Sequence, residues 1–275
     1  MPKTRRWRNP THVNPADKGY HAVSLSGGKD STAMLLLMID KEMPIDIVLF
    51  ADTGMEFPEM YEHLKKLDAY LFEKRGIHIT VLRAKHSFEY LMFDEPKVKP
   101  KTIENRIQKG IPLHGNGWPG IRVRWCTGQL KTHLISKEVN RLKGEYGAVN
   151  YVGIAADEAW RCAGEKYPLV EWGITEKMAL QICYDHGFDF DGLYRIYRRA
   201  SCWCCPFQRI GELRNLRKHH PELWARLREL DKRALAQFGP GPLGQFKQNW
   251  TVEQLEARFA AEDDQISILE ETQNE

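Results

Sequence analysis

No apolar run in this sequence is long enough to cross a bilayer. The longest, Ala33 to Ile39, falls far short of the roughly 20 residues that a spanning helix needs. The basic opening Met1-Pro2-Lys3-Thr4-Arg5-Arg6 is followed by no secretory apolar segment, so the chain is expected in the cytoplasm and away from membranes. There is no internal repeat and no low-complexity tract, which excludes solenoids and disordered linkers as the dominant architecture. Charge of one sign is in little excess: the formal net charge is +3 over 275 residues. The 42% hydrophobic and 28% charged content is that of an ordinary globular protein. In a reducing compartment the six cysteines are expected to be reduced, metal-bound or catalytic rather than paired as disulfides.

What is present is an alternation of two periodicities. Strand-like stretches occur at 22–25, 45–50, 77–82 and 149–154. Helix-like stretches separate them, up to Ile39, from Phe57 to Arg75 and from Thr127 to Leu142. Strands alternating with helices predict parallel crossovers, and so an α/β fold with a doubly wound, mostly parallel sheet. Residues 94–124, with four prolines and four glycines, break the rhythm and read as a long functional loop. After residue 154 the pattern turns helical, with helices expected at Glu176–His186, at Ile210–Phe238 turned at His220-Pro221, and at Thr251–Ala261 before a polar tail. The division expected is residues 1–160 as a nucleotide-binding α/β domain and 161–275 as a smaller helical, cysteine-bearing region.

Ser26-Gly27-Gly28-Lys29-Asp30-Ser31 lies where the first strand ends and the first helix begins. Glycines let the backbone turn tightly, and the free N–H groups of a helix start bind anions. Ser26, Ser31 and Thr32 add hydroxyls and Lys29 a cation. Asp30 would repel phosphate unless a Mg²⁺ ion bridges them. The spacing is not that of a Walker A loop.

Cys202-Trp203-Cys204-Cys205-Pro206 holds a Cys-x-x-Cys pair, Cys202 and Cys205, spaced to hold one metal from a tight turn. Cys126 opens a predicted helix and Cys183 lies on another; these four are the candidate metal ligands, with Cys204 and Cys162 as substitutes. The residues alone leave a 4Fe–4S cluster, zinc, redox thiols and inert burial open.

Three segments carry a family resemblance. Ser26 to Ser31 is similar to the signature of PP-loop ATP pyrophosphatases. Ala51-Asp52-Thr53-Gly54-Met55-Glu56-Phe57-Pro58-Glu59 resembles the second motif of the phosphoadenosine-phosphosulfate (PAPS) reductase family. Gly153-Ile154-Ala155-Ala156-Asp157-Glu158-Ala159-Trp160-Arg161 resembles its loop after the fourth strand. The resemblance implies an adenine nucleotide held by residues 26–32 together with Asp52, Thr53 and Gly153. It implies a catalytic set of Lys29, Asp30, Asp157 and Arg161, although Asp157 and Glu158 also suit an ordinary helix start. Cys126 followed by a late Cys-x-x-Cys-Pro resembles the iron–sulfur branch, in particular the sulfurtransferases of DNA phosphorothioation, which favours a 4Fe–4S cluster over zinc.

The reductases of this family carry a late catalytic cysteine, and this sequence has none after Cys205. The full Ser-Gly-Gly-x-Asp-Ser loop likewise points to ATP, Mg²⁺ and a pyrophosphate leaving group. Lys131 either adds a positive charge there or is a solvated helix residue. Lys97, Lys99, Lys101, Arg106, Lys109, Arg122 and Arg124 in the long loop suit a nucleic acid acceptor. So do Arg195, Arg198, Arg199 and Arg209, interleaved with Tyr194, Tyr197 and Trp203. The expected activity is ATP-dependent sulfur transfer, with a sulfur donor such as a cysteine desulfurase. The alternatives are a sulfite-forming PAPS or adenylylsulfate reductase and a non-catalytic nucleotide- and metal-binding subunit.

Overall fold

His21–Leu25 form β1 and Ile47–Asp52 form β2, and the two pair in parallel with Val23 opposite Val48. In this computed structural model, which describes residues 19–98, 102–200 and 202–273 and side chains through residue 264, β3 (Ile79–Arg83) and β4 (Val149–Val152) complete a four-stranded, all-parallel sheet. The strand order is β3-β2-β1-β4. The chain winds outward from β1 to β3 and then returns to the other side of β1, which is the doubly wound arrangement expected. All six residues of β2 are buried, as a strand covered on both faces requires. β3, at the edge, is partly exposed along its length.

The sheet's faces are covered separately. α1 (Lys29–Asp40) and α2 (Pro58–Arg75) pack on Val23, Leu25, Val48 and Phe50. The opposite face, Ala22, Ile47 and Leu49, packs on Val139 and Leu142 of a later helix. That helix begins as α5 (Trp125–Thr127), passes through a π-helical turn (Gly128–Thr132) and continues as α6 (His133–Tyr146). Its start therefore lies earlier than the periodicity indicated.

Residues 102–124 are more ordered than their prolines and glycines suggested. α3 (Phe88–Phe93) precedes them and α4 (Ile103–Gln108) lies within. Indole N–H groups pin the rest: Trp118 donates to Asp231 at 3.1 Å, and Trp125 to the Gly117 carbonyl at 3.1 Å. The second anchor sets the position of Cys126.

Beyond β4 come α7 (Pro168–Glu171), α8 (Glu176–Asp185), α9 (Leu193–Ile196), α10 (Ile210–His219), α11 (Pro221–Phe238) and α12 (Val252–Gln273). The break at His220-Pro221 is where it was read. α12 continues to Gln273, where a polar tail was expected. These helices share the core of the sheet: Leu169, Cys183, Leu193 and Leu213 join the cluster that contains Val23 and Met34. Among the described residues no helix is long and apolar enough to cross a membrane.

Candidate nucleotide and cysteine site

The phosphate loop sits at the carboxyl end of β1, at the point where strand order reverses toward β4. Open α/β sheets bind ligands at such switch points. Gly27 has φ +81°, and a Cβ there would lie 2.9 Å from Met60 Sδ, so the turn needs glycine. The serines brace each other: Ser31 Oγ accepts from the Ser26 amide at 3.1 Å and lies 2.9 Å from Ser26 Oγ. Thr32 Oγ1 donates to the Gly27 carbonyl at 3.3 Å and lies 3.1 Å from His63 Nε2. α1 starts here without a side-chain cap, which leaves its N-terminal amides and dipole available to an anion.

Lys29 and Asp30 are held by charge. Lys29 Nζ pairs with Glu176 at 2.8 Å and with Asp30 Oδ2 at 3.2 Å, and the Lys29 amide donates to the Tyr194 hydroxyl at 2.8 Å. Burial pushes the Asp30 pKa up, against the nearby Lys29 charge. Its Oδ1 is buried and, among the described residues, has no hydrogen-bond partner. A buried carboxylate oxygen without a partner is costly, and a divalent cation bridging to phosphate would satisfy it. Mg²⁺ is commonly held by one or two carboxylates plus substrate phosphates, so the residues present fit that ion.

The other nucleotide candidates are placed around this crevice in different ways. Gly153 touches the loop directly, since a Cβ there would lie 2.5 Å from Ser31 Cα. Asp52 ends β2, but its carboxylate accepts from the Gly54 amide, the Tyr61 hydroxyl and Arg83. Thr53 donates to Glu56 Oε1 at 3.1 Å. Asp157 accepts the Glu176 amide at 3.1 Å and so caps α8, while Arg161 pairs with its neighbour Glu158. Residues 156–161 form a 3-10 turn. The nearer of the two carboxylates on Lys29 is Glu176, which the motifs did not single out. Tyr194 and His63 were also missed as loop contacts. Tyr194 was visible only as one aromatic among arginines, and His63 as an ordinary helix residue.

The cysteines separate into two groups. Cys183 is fully buried on α8 under the phosphate loop and donates to the Lys29 carbonyl at 3.3 Å. Burial pushes its thiol up to about 12. The reason is packing: α8 lies along α1, which turns Cys183 toward the loop and away from the Cys-x-x-Cys turn. The Cys204 thiol feels Cys202, Cys205 and Cys126, and burial together with these neighbours drives it well above the ordinary range. Burial likewise raises Cys126 and Cys205. Cys162 lies apart, at the end of the 156–161 turn. The chemistry of four thiols suits zinc or iron–sulfur. Among the described residues no three His, Cys, Asp or Glu side chains stand arranged around a metal position.

The turn is nevertheless tied to the nucleotide side. The Trp203 amide donates to the Met55 carbonyl at 3.1 Å, and Cys202 Sγ lies 3.5 Å from Glu56 Oε1 and 3.7 Å from Thr53 Oγ1. Lys131, on the π-helical turn, pairs with the same Glu56 oxygen at 2.9 Å. It therefore faces the cysteines rather than standing as a solvated surface residue. Glu56, in the second motif, is the residue through which the two halves of the site meet.

Of the basic candidates, Lys97 pairs with Glu95, and Arg106 donates to the Pro112 carbonyl. Arg122, Arg124, Arg195, Arg198, Arg199 and Arg209 are exposed. Lys99 and Lys101 lie outside the described residues, as does the basic N-terminal stretch. A cavity of about 720 Å³ lined by Arg226, Glu229, Asp231 and Glu253 belongs to α11 and its neighbours and not to this crevice.

Comparison with known proteins bears on the same region. Residues 20–110 match the phosphoadenosine phosphosulfate reductase domain family. The match falls on the part of the sheet that carries the loop Ser26 to Ser31, and there the chain is similar to that family. Two uncharacterized proteins of Methanocaldococcus jannaschii are similar at 27% and 26% identity, over 74% and 76% of this chain. The alignments cover 39% and 47% of those relatives, so this chain spans less than half their length. An uncharacterized 37.8 kDa protein of Escherichia phage 186 is 23% identical, over 79% of this chain and 76% of its own. Among solved structures, the U34-tRNA thiolase NcsA from Methanococcus maripaludis, with its 4Fe–4S cluster, aligns at 16% identity and a TM-score of 0.38. That alignment covers 78% of this chain and 72% of the thiolase.

Proposed function

We propose that the protein uses ATP to activate a nucleic acid for sulfur transfer, releasing pyrophosphate and then AMP. The observation that supports this most directly is Asp30 Oδ1, buried without a partner beside the uncapped start of α1. Asp30 would hold a Mg²⁺ ion there, which would neutralise charge on the phosphates. In the first step an acceptor oxygen attacks the α-phosphorus and pyrophosphate leaves. In the second a sulfur nucleophile, supplied by a donor such as a cysteine desulfurase, displaces AMP. Positioning and charge neutralisation carry this kind of chemistry. The loop amides, Ser26 and Ser31 would bind the phosphates. Lys29 would exchange its contact with Glu176 for one with phosphate, and Asp157 and Arg161 would border the reacting α-phosphate. Asp52 and Thr53 would shape the nucleoside end.

The cysteine turn is the proposed seat of a 4Fe–4S cluster or zinc ion, and no step is assigned to it. The test is release of AMP and pyrophosphate from Mg-ATP by anaerobically purified protein, with and without nucleic acid. Sulfite formation from PAPS or adenylylsulfate with a reductant, and no AMP from ATP, would replace this reading with a reductase.

A further inference from the structure

The two cysteine-bearing segments share a property that no motif records. Residues 105–137 and 192–211 contain no aspartate or glutamate, in a chain with 37 of them. The first contributes Arg122, Arg124 and Cys126; the second contributes Arg195, Arg198, Arg199, Arg209 and Cys202 to Cys205. The fold brings them together, and the Arg124 guanidinium lies over the Phe207 ring, 4.4 Å from its centroid.

The ion pairing on the rest of the surface makes the contrast. Arg141, Arg217, Arg226, Arg228 and Arg233 each pair with an acid. Among the described residues none of the six exposed arginines of the two acid-free segments does. Between Gly120 and Val123 the chain also folds back on itself through reciprocal amide–carbonyl bonds of 3.2 and 3.1 Å. This tight turn presents Ile121 and Val123, which are 78% and 62% exposed, with Arg122 between them. Phe207, 38% exposed, lies under Arg124, the residue that follows the turn.

Unpaired arginines interleaved with exposed apolar and aromatic side chains suit a ligand with alternating phosphates and flat apolar faces. Guanidinium groups neutralise phosphates, and bases stack on rings and on guanidinium planes. A duplex hides its base faces and offers this surface only phosphates. We propose that the turn Gly120–Val123, with Arg124, Phe207 and Arg209, is the docking surface for an unpaired nucleic acid strand and leads it to the cysteine turn. The proposal rests on the nucleic acid reading above and specifies which form of the polymer is bound.

The test is fluorescence anisotropy with the full chain, using a labelled mixed-sequence 20-nucleotide single strand, as DNA and as RNA, and the matching duplexes over a salt series. The single strand is expected to bind more tightly than the duplex. Replacing Arg122 and Arg124 together with alanine is expected to weaken it about tenfold and to lower the salt slope by about two. Phe207→Ala is expected to cost roughly tenfold on the single strand and little on the duplex. Arg124→Lys keeps the charge and the slope but loses part of the single-strand preference. The ion-paired control Arg141→Ala leaves binding unchanged, and melting temperatures establish that each variant folds. Equal affinity for duplex and single strand, or unaltered binding in the double variant, overturns the proposal. Failure of every oligonucleotide to bind at low salt also overturns it and reassigns the surface to an acidic protein. AMP release is read separately. Binding without AMP release leaves this surface standing and removes the ATP reading, whereas AMP release without binding does the reverse.

Discussion

Gly153, just past β4, meets the phosphate loop backbone to backbone: a Cβ on residue 153 would lie 2.5 Å from Ser31 Cα and 2.7 Å from the Ser31 amide nitrogen. The contact joins the two strand ends that flank the switch point, and neither partner is a flexible side-chain tip that could move aside. Gly153→Ala is therefore expected to push the loop out of shape while the sheet stays paired. ATP affinity should fall roughly tenfold or more, since displacement by even about 1 Å at such sites is costly. The melting temperature should drop by only a few degrees. Calorimetric titration of Mg-ATP checks this, and unchanged affinity would mean that the loop does not bind the nucleotide.

Position along the chain was legible where periodicity is strong. The strands and long helices follow from apolar alternation, and the phosphate loop from its place between β1 and α1. Contacts between distant segments were not. Glu176 reaches Lys29 across 147 residues and Tyr194 across 165, and nothing in either local sequence marks them. The place of Cys183 under the loop was not legible for the same reason: cysteine spacing says nothing of which helix face turns to which neighbour. The π-helical turn at Gly128–Thr132 was also invisible, because one wider turn leaves the apolar period of the longer helix nearly unchanged.

Asp30 and Ser26 have separable roles in the loop. Asp30→Ala removes the buried carboxylate oxygen that has no partner among the described residues, and Ser26→Ala removes the hydroxyl that braces Ser31 at 2.9 Å. Both are expected to lower AMP release from Mg-ATP by about 100-fold or more without unfolding the chain. Rate measurements at saturating Mg²⁺ should show the Asp30 variant failing to recover as the metal is raised. Wild-type rates in both variants would remove the loop from the active site.

The two cysteine groups should behave differently in chemistry and in metal content. Cys183, fully buried and with its thiol raised to about 12, should resist alkylation in the folded protein and react only on unfolding. Cys183→Ala should leave iron or zinc per chain unchanged. Cys126→Ser, Cys202→Ser and Cys205→Ser should each lose most of the bound metal after anaerobic purification. Peptide mapping after alkylation and elemental analysis provide the readouts. Loss of metal in Cys183→Ala equal to that in Cys202→Ser would restore Cys183 to the ligand set.

His63 gives the phosphate loop a pH-dependent support. Its ring is buried between Phe190, 4.1 Å away centroid to centroid, and Phe188 at 5.7 Å. Nε2 lies 3.1 Å from Thr32 Oγ1. Because that hydroxyl donates to the Gly27 carbonyl, Nε2 carries the proton and donates to Thr32. Burial lowers the pKa to about 4 from the ordinary 6.5, outweighing the opposite pull of Asp191. Below pH 6.5 the unfolded chain therefore binds a proton that the folded chain refuses. Stability from this group is full above pH 6.5 and is lost as pH falls through about 4, by about 3 kcal/mol in all. His63→Gln keeps an amide donor for Thr32 but cannot titrate. Urea unfolding at intervals from pH 7 to 4 should show a shallower loss of stability in this variant than in the parent, and the difference curve should be flat above pH 6.5. Parallel curves for the two proteins across the whole range would mean that His63 titrates normally and is not enclosed as described.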